Sequence, residues 1–141
     1  MHPNAPKLLE DIRDAAAFVA DSVRGLAQAD YEENRLLRQA VERNFEIIGE
    51  ALIRLTQVDE PTAEQAGPVG QIKAFRNILV HAYDNIDHGI VWDVIQTKLP
   101  TLLQSVERLL AKAEATKKKT RGKQTPKKKA AKRKRTGKES S

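Results

Sequence analysis

The chain has 141 residues, no cysteine, and 25 Lys+Arg against 19 Asp+Glu, a net charge of +6. That length allows one modest hydrophobic core, and the lack of cysteine excludes disulfides and thiolate zinc centres and suits a reducing cytoplasm. Met1-His2-Pro3-Asn4 has no basic segment leading into an apolar run, and no apolar stretch approaches the roughly 20 residues of a membrane span, so a soluble cytoplasmic protein with no membrane partner is expected.

The charge is divided unevenly. Residues 116–141 hold thirteen of the basic residues and one acid (Glu139), a net of +12, which leaves residues 1–115 at −6. The basic segment contains no Leu, Ile, Val, Phe or Trp, so it has nothing to bury against the entropy of ordering. Two regions are therefore expected, a folded body over 1–115 and a disordered Lys/Arg-rich tail over 116–141.

In the body, Asn4 can cap a first helix with Pro6 in its opening turn. Leu8, Ile12, Ala15/Ala16, Val19, Val23 and Leu26 form its apolar stripe, and Gly25 ends it. Asp30 suits the cap of a longer second helix reaching about Leu55, with Leu37, Val41, Phe45, Ile48, Leu52 and Leu55 inward. Asp59 to Gly67 reads as a loop, marked by Pro61 and Gly67-Pro68. A third helix from about Pro68 turns Ile72, Phe75, Leu79, Ala82 and Ile86 to the core. Asp87 caps a fourth, and Leu99-Pro100 interrupts the pattern before a fifth helix through Leu102, Leu103, Val106, Leu109 and Leu110. No strand alternation occurs. The fold class is all-α, an antiparallel bundle of four to five helices.

Polar groups able to move protons gather in Arg76-Asn77-Ile78-Leu79-Val80-His81-Ala82-Tyr83, followed by Asp84-Asn85-Ile86-Asp87. At 100° per residue, Arg76 and Tyr83 share one flank about 20° apart, whereas Arg76 and His81 diverge by about 140°. One straight helix does not aim both at one atom, so convergence needs the helix to end near His81 or a second copy of the chain. Val80 lies between the polar flanks and faces away from the core, as an apolar residue packed against a symmetry mate would. An imidazole titrating near neutrality can exchange a proton with a 2′-hydroxyl or a leaving oxygen, and a guanidinium fork suits phosphate oxygens. No cluster with metal-ligand spacing accompanies them, so a metal-free site with no cofactor is the simpler reading. The spacing by itself fits at least as well a capped helix carrying surface Arg, His and Tyr.

Arg76-Asn77, Val80-His81 and Tyr83, with Ile86-Asp87 and Val91-Trp92 after them, resemble the signature of the HEPN superfamily, and most closely its HepT-like branch. The block Arg43-Asn44-Phe45-Glu46-Ile47-Ile48-Gly49-Glu50-Ala51 and the later Leu99-Pro100 also resemble that branch, over roughly residues 6–112. The resemblance implies a metal-independent ribonuclease, the toxin of a type VII-like toxin–antitoxin pair. It would act on RNA as a homodimer with a composite cleft. His81 would be the general base or acid and Arg76 the phosphate ligand, with Asn77 and Glu50 in support. The partner would be a minimal-nucleotidyltransferase (MNT) antitoxin that binds the toxin or adenylylates Tyr83, making that tyrosine an off-switch.

The remaining candidates read more plainly. Glu46 fits either the cleft or a solvated acidic face, Trp92 reads as core, His2 as incidental, and His88 as a surface residue of a first turn. Lys117-Lys118-Lys119, Lys127-Lys128-Lys129 and Lys132-Arg133-Lys134-Arg135 resemble a basic arm that tethers nucleic acid without reading its sequence. Two alternatives stay open: a non-catalytic HEPN module that binds nucleotide or RNA for a nucleotidyltransferase, and a nucleic-acid-coating protein driven by its tail.

Overall fold

The structure, a computed structural model, describes residues 1–81 and 86–140; the side chains of Val69, of His81 and of every residue from 120 on lie outside the described set. Among the described residues there are helices and no strands. The architecture is all-α, as the periodicity predicts.

Helix α1 (Ala5–Val23) carries Pro6 in its first turn, where a missing N–H leaves no bond unmade. Leu9, Ile12, Ala16 and Val19 are fully buried along it. Leu9 rather than Leu8 opens the stripe, and Leu26 is exposed beyond the end. Gly25, at φ +78°, takes the left-handed conformation that lets the chain leave the helix.

The expected cap at Asp30 belongs to a different helix. Asp30 accepts from the Ala27 N–H at 2.8 Å and closes the first turn of the short α2 (Gln28–Glu33). The long α3 (Arg35–Val58) starts behind Asn34, whose side-chain oxygen accepts from the Leu37 N–H at 3.0 Å. Asn34 is extended (φ −103°, ψ 95°), which breaks the ladder between the two helices. The predicted loop from Asp59 to Gly67 is also corrected, because Glu60–Ala66 is a helix, α4. Its start signals are an acid at the cap and a proline in the first turn. Asp59 accepts from the Thr62 hydroxyl at 2.7 Å and from the His2 backbone N–H at 2.8 Å, which ties down the start of the chain.

α5 (Val69–His81) follows, with Ile72, Phe75 and Leu79 buried as expected. Ala82 lies outside the described residues. Ile86 stands outside any helix, half-buried against the core. Asp87 caps α6 (His88–Thr97) as predicted, accepting from the Gly89 and Ile90 N–H groups at 2.9 and 3.2 Å. Pro100 sits in the first turn of α7 (Leu99–Ser140), which buries Leu99, Leu102, Val106 and Leu109.

α3 is the hub, packed against α1, α2, α4 and α5. The chain forms two units, Met1–Leu110 and Ala111–Ser141. The α7 backbone is helical to Ser140.

Candidate functional site

The α3–α5 groove is built on one close approach. Phe45 and Phe75 meet edge to face, with centroids 4.9 Å apart and planes at 75°. One turn further along α3 is Gly49, and a Cβ placed there would stand 2.5 to 2.8 Å from Cβ, Cγ and Cδ of Arg76. No real side chain tolerates that distance. Gly49 thus gives the stem of Arg76 its bed, and the guanidinium emerges beside Glu50.

Arg76 is held from two sides. Its Nη2 donates to Glu50 Oε1 in a salt bridge, and its Nη1 donates to Asn77 Oδ1 at 3.3 Å. The Arg76 side chain is only 22% exposed, and its Nε is enclosed without a hydrogen-bond partner. Two tethers on an arginine stacked over a glycine restrict its rotamers, so little entropy remains to be lost when an anion binds. Three of the five residues singled out from sequence, Arg76, Asn77 and Glu50, are therefore gathered here. His81 is the last described residue of α5, and its side chain lies outside the described residues, as does the whole of Tyr83. Lys117, Lys118 and Lys119 are exposed on α7. Lys127, Lys128, Lys129, Lys132, Arg133, Lys134 and Arg135 fall in the helical backbone of α7 with side chains outside the described set.

A second set of polar residues lies along the same groove, one turn from Arg76. Leu79 of α5, Glu42 and Glu46 of α3, Ile86, and His88 of α6 line a cleft of about 350 Å³, whose α3 wall continues through Arg35, Arg38 and Gln39. His88 is half-buried with its Nδ1 enclosed and unpartnered, not the surface residue that its place after a cap suggests. Burial pushes the Glu42 carboxyl above its ordinary value, offset in part by His88 and Arg38. Arg43 takes up Glu46 at 3.2 Å, relieving the like-charge pair that Glu42 and Glu46 form on one helix face.

Behind Glu42 is Tyr31, fully buried, its ring 5.7 Å from that of Trp92, which packs against the core. The Tyr31 hydroxyl is enclosed without a partner, and its pKa is driven upward by burial first and by Glu42 second. Sequence reasoning missed Tyr31, Gly49 and the role of His88. Each depends on a neighbouring helix, and helical periodicity carries no record of what a neighbour brings.

Among the described residues no group of three or more His, Cys, Asp or Glu is placed to hold a metal ion, and no helix is long and apolar enough to cross a membrane.

The family described as HepT-like, "Ribonuclease HepT-like", matches residues 9–109. A protein of Caldanaerobacter subterraneus subsp. tengcongensis named "Putative RNase TTE0752" is 30% identical over 104 residues, covering 74% of this chain and 92% of that protein. "Putative RNase MJ1380" of Methanocaldococcus jannaschii is 31% identical over 99 residues, 70% of this chain and 90% of its own length. "Probable ribonuclease HepT" of Thermococcus cleftensis is 29% identical over 101 residues, 72% and 91% of the two chains. No solved structure matches.

Proposed function

The chain belongs to the HepT-like ribonuclease family, and on that footing we propose that it is a metal-independent endoribonuclease acting as a homodimer, the toxin of a toxin–antitoxin pair. The observation that carries this reading is the restrained Arg76, tethered by Glu50 and Asn77 five residues before His81 on α5. In the reaction, neutral His81 takes the proton of a ribose 2′-hydroxyl and the 2′-oxygen attacks the adjoining phosphorus. The bond from phosphorus to the 5′-oxygen breaks, and a protonated imidazole returns a proton to that oxygen. The products are a 2′,3′-cyclic phosphate and a 5′-hydroxyl end. Arg76 neutralises charge building on the phosphate oxygens. Two copies of the chain supply two imidazoles, one for each proton transfer.

Tyr83 is the proposed control point. A partner nucleotidyltransferase of the minimal type (the MNT antitoxin) would bind the toxin or transfer AMP to the Tyr83 oxygen, setting a bulky anion two residues from His81. The basic segment adds sequence-blind affinity for RNA phosphates.

The test is cleavage of RNA by the purified full chain. His81→Ala and Arg76→Ala are expected to slow cleavage by roughly 10²–10⁴-fold, and EDTA to leave the wild-type rate unchanged. Equal rates for wild type and His81→Ala would refute the catalytic assignment, and loss of activity in EDTA would refute the metal-free mechanism.

A further inference from the structure

The cleft beside Arg76 is not needed to hold the scissile phosphate, yet it is lined by two arginines, two glutamates and a histidine. Its residues come from three helices and the Ile86 approach to α6. Leu79 follows Arg76 by three residues on α5, and Glu46 precedes Glu50 by four on α3. The cleft therefore begins one helical turn, about 5 Å, from the Arg76–Glu50 pair. That is comparable with the span from a phosphate to the base of an adjoining nucleotide.

We propose that this cleft is a nucleobase site that selects guanine in the RNA strand next to the cleaved phosphate; the proposal rests on the ribonuclease reading of Arg76 and His81. Leu79 and Ile86 offer apolar surface to the face of a ring. Glu42 offers two acceptor oxygens; Arg38, held by its Nη1 donating to the Glu32 carbonyl at 2.7 Å, has further guanidinium donors, and exposed Arg35 adds others. Guanine alone among the four bases sets two adjacent donors, N1–H and the N2 amino group, against one carboxylate while turning the acceptors O6 and N7 to a guanidinium. Adenine and cytosine each present one amino donor beside a ring acceptor, and a carboxylate repels that acceptor. Uracil presents a single N–H between two carbonyls.

The neighbours of Glu42 agree with that role. Glu46 is already engaged by Arg43, whereas Glu42 has burial as the main influence on it. The enclosed Nδ1 of His88 and the enclosed Tyr31 hydroxyl are both unpartnered, and both act electrostatically on Glu42 or feel it. Buried polar atoms are ordinarily satisfied. His88 is one of the cleft's own lining residues, so its unpartnered Nδ1 marks polar ground beside Glu42, whereas Tyr31 packs behind that carboxyl.

The experiment is calorimetric titration of the full-length protein with 3′-GMP, 3′-AMP, 3′-CMP and 3′-UMP, alongside mapping of cut sites in an RNA of mixed sequence. Any contribution of the basic segment falls equally on all four nucleotides. Affinity for 3′-GMP at least about tenfold above the other three is expected, with cut sites flanked by guanine. Glu42→Gln, which keeps one acceptor and adds a donor, is expected to bring the four affinities within about twofold of one another. Equal wild-type affinities, a preference for another base, or a preference that survives in a folded Glu42→Gln would each overturn the proposal. If Glu42→Gln does not fold, the wild-type comparison decides alone. Unbiased cutting with equal nucleotide affinities would refute the pocket and leave the ribonuclease reading standing. Selective 3′-GMP binding with no RNA cleavage would do the reverse.

Discussion

Gly49 and Arg76 fit together only because one of them lacks a side chain. In the middle of a helix, replacing glycine by alanine is ordinarily stabilising by up to about 1 kcal/mol, since alanine loses less backbone freedom on folding. Here the new Cβ would meet three atoms of the Arg76 stem below 3 Å, and overpacking of that kind costs about 1–3 kcal/mol. The clash outweighs the propensity gain, so Gly49→Ala is expected to lower the denaturation midpoint and to swing Arg76 off Glu50, with loss of cleavage. A variant that gains stability and cleaves normally would show that the close approach is not functional. The same pair marks how far the site was legible beforehand. Arg76 could be named from residue type and spacing, and Asn77 and Glu50 from the family resemblance. Gly49 could not, because only the approach of a second helix gives a glycine there a purpose.

At the level of helices, the apolar stripes of α1, α3 and α5 were readable because burial at intervals of three and four is written directly into a helical sequence. The boundaries were harder wherever two residues could serve as caps. Asp30 and Asn34 are both good caps, and only the extended backbone at Asn34 decides between them. Pro61 was read as a loop marker although it is equally at home in a first turn. Asp59 illustrates what such a cap contributes. The His2 N–H, then the Thr62 hydroxyl, hold its carboxyl below the ordinary 3.8. A carboxyl lowered on folding stabilises above its unfolded value, and that contribution is lost as pH falls through the folded value. Asp59→Ala is therefore expected to cost about 1 kcal/mol at pH 7 and next to nothing near pH 2, measured by urea denaturation at both. A cost independent of pH would mean that the charge on Asp59 plays no part.

For the whole molecule, the decisive feature is the apolar surface that a single copy leaves open around the motif helix. Ile78 is 47% and Val80 38% exposed on α5, and Ile90 is 49% exposed on α6. Ile78 and Val80 lie about 160° apart around α5, so it is the side of Val80, on the element that also holds Arg76 and His81, that fits a face meeting a second chain. Such a face would also resolve the divergence of Arg76 and His81 on one helix, because each site would draw on both copies. Substituting Val80 separates assembly from folding. Its side chain contributes little to the core of one copy, so Val80→Glu is expected to leave monomer stability within about 0.5 kcal/mol. In a two-fold contact the same change sets two carboxylates against each other in an apolar seam, where neither is solvated. Light scattering should then report a monomer for Val80→Glu and a dimer for the wild type, and cleavage should fall with the dimer. A Val80→Glu protein that remains dimeric would move the interface elsewhere, and a monomer that cleaves at the wild-type rate would show that one chain holds a complete site.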